Sequence, residues 1–202
     1  MSRKEILLAC GLEGKPNVEE LKEFMKQKGI NLNKGEVDFD YGLVMTPLEL
    51  ACRNGYLEIV EVLMKDPRVK INYSLNLPGI SPFYTVCSIG HLEIVKYMLM
   101  NERLTVDFTQ SKDNPFSEAC RQKQIDVGKW ILASGRDVPK TIIESTKNLL
   151  EKLKDKNGKL VKFIQLLEKF LLDPIQTRKE LRKELGLPGL IFIPNNFFFY
   201  FK

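Results

Sequence analysis

Histidine and tryptophan each occur once in the 202 residues, as His91 and Trp130, and no two cysteines have C-x-x-C spacing. The scarcity of histidine narrows the chemistry. A histidine base needs a nucleophile and an orienting group beside it, and no Ser, Cys or Asp constellation in the sequence converges on His91. The four cysteines, Cys10, Cys52, Cys87 and Cys120, stand 42, 35 and 33 residues apart, which is not zinc-ligand spacing. G-x-x-x-x-G-K-S/T, G-x-G-x-x-G and H-E-x-x-H are also missing, and with them the usual phosphate cradles and the metalloprotease helix. The chain is therefore expected to be no enzyme, with no catalytic residue, no cofactor and no metal. No apolar run approaches the roughly 18 residues that a spanning helix needs. Met1-Ser2-Arg3-Lys4-Glu5 leads into an amphipathic stretch rather than an apolar leader, so the expected location is intracellular, in the cytoplasm.

What is present is globular in composition, 44% hydrophobic and 28% charged. The formal charge of +5 is unevenly spread. Residues 1–138 hold 18 Lys and Arg against 19 Asp and Glu, whereas residues 139–186 hold 12 against 7. All the positive excess belongs to the C-terminal third, which points to two modules.

The first module repeats itself. Thr46-Pro47-Leu48-Glu49-Leu50-Ala51-Cys52 precedes Gly55-Tyr56-Leu57-Glu58-Ile59-Val60. Thirty-five residues on, Ser81-Pro82-Phe83-Tyr84-Thr85-Val86-Cys87 precedes Gly90-His91-Leu92-Glu93-Ile94-Val95. Thirty-three further, Asn114-Pro115-Phe116-Ser117-Glu118-Ala119-Cys120 precedes Ile125-Asp126-Val127. Thr46, Ser81 and Asn114 are helix-capping types, and the prolines after them suit a first helical position, where the missing amide costs nothing. Gly55 and Gly90 permit a tight reversal into a second helix, whose apolar residues recur at helical spacing. Glu5-Ile6-Leu7-Leu8-Ala9-Cys10 and Val18 to Met25 give a degraded copy, as a terminal cap with one wet face would.

A period near 33 with this motif resembles the ankyrin repeat family over about residues 4–138. The resemblance implies an all-α helical repeat solenoid of helix-turn-helix units with protruding turns. Its organisation is a stack over 1–138, with a cap at 4–33 and repeats at about 41–72, 76–107 and 109–138. The motif histidine is replaced by Glu49, Tyr84 and Ser117, which implies a looser array. The third repeat has Lys123-Gln124 for Gly-His and places Gly128 inside a helix, at a cost of about 1 kcal/mol relative to alanine. It is expected to be the least stable repeat, anchored by Trp130. The cysteines share one motif slot on stacked helices about 8–10 Å apart, beyond the roughly 7 Å reach of a disulfide, so they read as small core residues.

Residues 139–186 read as a basic helical C-terminal cap of two or three helices, with breaks at Asp155-Lys156-Asn157-Gly158 and Asp173-Pro174. Residues 187–202 form an apolar tail.

The family resemblance implies a non-catalytic interaction module or adaptor that holds a protein partner on its finger loops and concave helix face. By motif position that surface comprises Met45, Arg53 and Asn54 with Asp38, Phe39 and Tyr41 of an enlarged first finger. It continues through Leu77, Ile80, Ser88 and Ile89, then Gln110, Asp113, Arg121 and Gln122. Nucleic acid, a membrane or a small-molecule substrate is not the expected partner. The alternative is an anionic surface, RNA or membrane phosphate, met by the basic C-terminal helices, chiefly Thr177 to Leu185.

Overall fold

The computed structural model describes residues 3–27, 29–38, 43–75, 80–110, 114–153 and 158–188, without the side chains of residues 3, 4, 36–38 and 43. Its elements are α1 (Arg3–Ala9), α2 (Val18–Met25), β1 (Glu36–Asp38), β2 (Leu43–Met45), α3 (Pro47–Asn54), α4 (Leu57–Lys65), α5 (Pro82–Ile89), α6 (Leu92–Leu99), α7 (Pro115–Arg121), α8 (Ile125–Ala133), α9 (Lys140–Lys152), α10 (Gly158–Leu172) and α11 (Pro174–Glu184). The fold is the all-α helical repeat, with one addition: the first finger is a two-stranded antiparallel hairpin pairing Val37 with Val44.

Two compact units divide the chain, residues 1–106 and 107–202. The division falls before the third repeat rather than at 138/139. The reason is packing within the second unit, where α7 lies on α9 and α8 on α10 and α11. The third repeat therefore shares its core with the C-terminal helices.

In residues 1–106, α3 packs on α5 and α4 on α6, with α1 and α2 continuing both layers. Leu7, Leu21, Leu48, Leu50, Ile59, Leu63, Phe83 and Ile94 are buried there. The first helices start as their sequences require. Thr46 Oγ1 accepts the Glu49 amide at 3.1 Å while the Glu49 carboxylate accepts the Thr46 amide at 2.8 Å. The residue in the histidine slot thus closes a capping box. Ser81 caps α5 through the Tyr84 amide at 3.2 Å.

Contacts between successive repeats are made elsewhere, so the expected loosening does not follow from the lost histidines. Gly55 ends α3 with φ of 77°, and the His91 ring of the next repeat lies against it. A β-carbon at Gly55 would stand 2.6 Å from His91 Cε1. The ring's Nε2 lies 3.0 Å from the Arg53 carbonyl, which can only accept, so Nε2–H is the donor. Tyr56 repeats this one unit earlier: its ring covers Gly11, and its hydroxyl donates to the Gly14 carbonyl at 3.2 Å.

Side chains in the loops add a second tie. Asn33 donates to the Arg68 carbonyl at 2.8 Å and accepts from the Lys70 amide at 2.6 Å. Asn72 does the same with Arg103 O (2.9 Å) and Thr105 N (3.0 Å). The Arg103 guanidinium reaches back to the carbonyls of Met64, Asp66, Pro67 and Val69. A cation on these carbonyls satisfies orphan acceptors at the C-terminus of α4 and opposes its dipole.

In residues 107–202, Asn114 caps α7 through the amides of Phe116 (3.0 Å) and Ser117 (3.2 Å). Gly128 is no packing defect: a β-carbon there would lie 2.8 Å from Phe163 Cζ and 3.3 Å from Cys120 Sγ. The missing side chain lets α10 approach α8. Fully buried Phe163 fills the space, while Trp130, the expected anchor, is only half-buried.

Two of the four cations of α11 are held within the unit. Arg178 donates to the Leu132 carbonyl at 3.0 Å and stands over the Phe170 ring. Arg182 is buried and donates to the carbonyls of Ala133 (2.8 Å) and Pro188 (2.6 Å). Both cations seal the end of α8, so they are not an open anionic-surface site.

All four cysteines are buried and none is in a disulfide. Burial pushes the Cys10 thiol up to about 12 and raises those of Cys52 and Cys120 further. Thiols held this far above neutrality are inert packing groups.

Candidate partner-binding surface

The helix best suited to contact is α5. Pro82 and Ser81 start it, and Gly90, with φ of 93°, ends it. Phe83, Val86 and Cys87 face the core, leaving Tyr84, Thr85 and Ser88 half-buried and Ile89 43% exposed. Among the eleven described helices, α5 alone carries no Asp, Glu, Lys or Arg. Its outer face is one tyrosine ring, one aliphatic side chain and three hydroxyls, those of Tyr84, Thr85 and Ser88.

Beside it, Arg53 at the end of α3 is half-buried. Asn54 is exposed, but its amide donates to the Gly11 carbonyl at 3.3 Å, so it is held in place. The first finger stands on β1 and β2. A β-carbon on Gly35 at its base would collide with Leu75 Cδ1 and the Met45 carbonyl, so glycine is required there. Val44 on β2 is exposed, as is Tyr73 farther along the chain with Lys70 over its ring. None of Tyr84, Thr85, Val44 and Tyr73 was selected from the motif. The absence of charge along 82–89 was the available signal for the first two.

The remaining motif-derived residues fare differently. Met45 is 3% exposed and belongs to the core, because the inward side of β2 packs beside α3. It is removed from the contact set. Ile80 is half-buried. Phe39, Tyr41, Leu77, Asp113 and the side chain of Asp38 lie outside the described residues.

On the second unit, Gln110 is exposed but donates to Asp107 at 3.1 Å, and Thr109 donates to the same carboxylate from its amide and hydroxyl. Hydrogen bonds from Thr109 and Gln110 hold the Asp107 carboxyl below the usual range. Arg121 is bound in bidentate fashion by Glu118, at 2.9 and 2.7 Å, and Gln122 donates to Glu118 at 2.9 Å. Each unit thus presents its own part of the motif-derived set.

These features define an all-α helical repeat fold of turn-linked helix pairs. The ankyrin repeat family model matches residues 45–74, covering β2 through α4 and the loop beyond. The chain is similar in structure to EF0377, an ankyrin repeat protein, with a TM-score of 0.65 and 20% sequence identity, covering 94% of this chain and 100% of that one. No curated protein sequence matches the chain. Ankyrin repeats are generally protein–protein interaction modules. No described helix is long and apolar enough to cross a membrane.

Proposed function

We propose that the chain is a non-catalytic adaptor whose first unit holds a protein partner against the outer face of α5 and the flanking finger. The observation that carries this reading is the uncharged face of Tyr84, Thr85, Ser88 and Ile89 in a protein with 28% charged residues. Depletion of charge around an aromatic and an aliphatic anchor is the composition of an interface centre. The core side of the same helix is separate from this face: Phe83, Val86 and Cys87 are buried.

Phe39 and Tyr41 of the first finger belong to the same proposal as a second contact. Affinity capture with the intact chain tests both. Ile89→Asp is expected to lose a protein that the unaltered chain retains, with the melting temperature nearly constant. Phe39→Ala with Tyr41→Ala should weaken the same complex by about 2 kcal/mol, the scale of a hot spot. An unchanged set of captured proteins for both variants overturns the reading. A large loss of stability in the finger variant would assign its rings to local packing.

A further inference from the structure

The second unit carries a surface that neither the repeat architecture nor the clamp of α11 uses. The exposed side of α10 presents Lys162, Gln165 and Lys169, and ends in Leu172. Positions 162, 165, 169 and 172 follow the three- and four-residue steps of a single helix face. Leu172 is 85% exposed and Ile175, just inside α11, is 54% exposed, the highest values for any large hydrophobic among the described residues. The nearby carboxylates are ion-paired or hydrogen-bonded, and residues 139–186 keep a positive excess of 12 Lys and Arg against 7 Asp and Glu. Glu168 lies 3.6 Å from Lys147, Asp173 caps α11 by accepting the Gln176 amide at 3.0 Å, and Glu180 accepts from Gln176 Nε2 at 2.9 Å. Glu184 pairs with Lys129 at 2.6 Å.

We propose that this face docks peripherally on an anionic lipid bilayer. The lysines of α10 lie against headgroup phosphates, while Leu172 and Ile175 enter the boundary with the acyl chains. The charge is complementary to such a surface, which attracts lysines placed within a Debye length of it. The two aliphatic side chains decide among polyanions. A single-stranded nucleic acid would call for stacking aromatics, and the stripe has none; a bilayer accepts aliphatic groups directly. A second copy of the chain would set the lysine stripe against itself, and two aliphatic residues supply far less than the roughly 1,000 Å² of a stable interface. The apolar side of α10, with Leu160, Phe163, Ile164, Leu167 and Phe170, is buried within the unit. Binding is therefore shallow and salt-sensitive, without helix insertion.

Co-sedimentation of the full chain with vesicles is the test, comparing mixed phosphatidylserine and phosphatidylcholine with phosphatidylcholine alone. Binding is expected only to the mixed vesicles, and should weaken steeply with salt. Reversing two charges in Lys162→Glu with Lys169→Glu should weaken it at least about 25-fold, taking about fivefold per lysine. Leu172→Ser with Ile175→Ser should weaken it about tenfold at unchanged charge. All four positions are exposed, so circular dichroism and the melting temperature should stay at the parent values. The proposal is overturned if the mixed vesicles are not bound, or if the serine variant binds them as well as the parent. It is also overturned if single-stranded RNA is retained while vesicles are not.

Discussion

Residues 1–106 and residues 107–202 tie helix layers together by opposite means. In the first unit the ties are in the loops and helix ends: Asn33 and Asn72 bridge successive backbones, Arg103 gathers four carbonyls at and beyond the end of α4, and His91 sits on Gly55. In the second, the end of α8 is sealed by a helix that is not a repeat, through Arg178 and Arg182, and the interior is closed by Phe163 over Gly128. A repeat with a following neighbour can be bonded strand-like at its edge, residue by residue. The third repeat has α9 to α11 packed on it, so its carbonyls are met by arginines from a helix and its core by a large ring. Shared chemistry, a guanidinium on the carbonyls that end a second helix, is delivered by different secondary structure.

The sharpest way to break this comparison is at Phe163. Phe163→Ala should destabilise the second unit by about 3–5 kcal/mol, as emptied aromatic core sites do. Chemical denaturation followed by Trp130 fluorescence would report it. A loss below about 1 kcal/mol would mean that α10 is an appendage rather than part of the core of the third repeat.

Arginine removal compares the two devices directly. Arg182→Ala removes the donor to the buried Ala133 carbonyl and to the Pro188 carbonyl, and Arg103→Ala does so for four carbonyls at and beyond the end of α4 that water can partly reach. Charged hydrogen bonds of this kind are worth about 1.5–3 kcal/mol each. The expected order is a larger loss for Arg182→Ala, about 3 kcal/mol, than for Arg103→Ala, about 2 kcal/mol. The reverse order in equilibrium melts would make the loop clamp the stronger tie.

Gly128→Ala sets a gain in helix propensity of about 1 kcal/mol against overpacking on Phe163 of about 1–3 kcal/mol. A net loss near 1 kcal/mol is expected, relieved in the Phe163→Leu background. Consistently, the amides of α8 should exchange no faster than those of α4. Faster exchange in α8, or a stabilising alanine, would restore the reading of Gly128 as a weak point.

The smallest effect concerns pH. Hydrogen bonds and charge from Arg68 hold the Asp66 carboxyl below its ordinary value. A lowered folded-state value adds stability above the unfolded pKa, about 3.9, and that stability is lost as pH falls through the folded value. Asp66→Asn should therefore be slightly less stable at neutral pH and lose less on acidification below pH about 4. An acid limb identical to that of the parent chain would show the pair contributes nothing, as for many partly exposed pairs.

Helix positions were legible because capping and periodicity are local. Thr46-Pro47, Ser81-Pro82, Asn114-Pro115 and Asp173-Pro174 each start a helix where their side chains and fixed φ require it. The buried cysteines followed from a shared slot. Candidate contact residues were less legible, because exposure is a property of two surfaces at once. Met45 looked like a finger residue and lies in the core, while Tyr84 and Thr85 became candidates only once α5 showed its outer face.

The sequence by itself determined the repeat, its caps and the absence of recognisable catalytic motifs, since each depends on residues within a turn or two of one another. Tertiary structure alone decided which helix covers the third repeat, why Gly128 is glycine and where the cations of α11 point. Those answers lie in contacts 35 to 55 residues apart along the chain, such as Gly128 with Phe163 and Lys129 with Glu184. No local pattern encodes them, because a glycine's cost and an arginine's charge acquire their sign only from what packs against them.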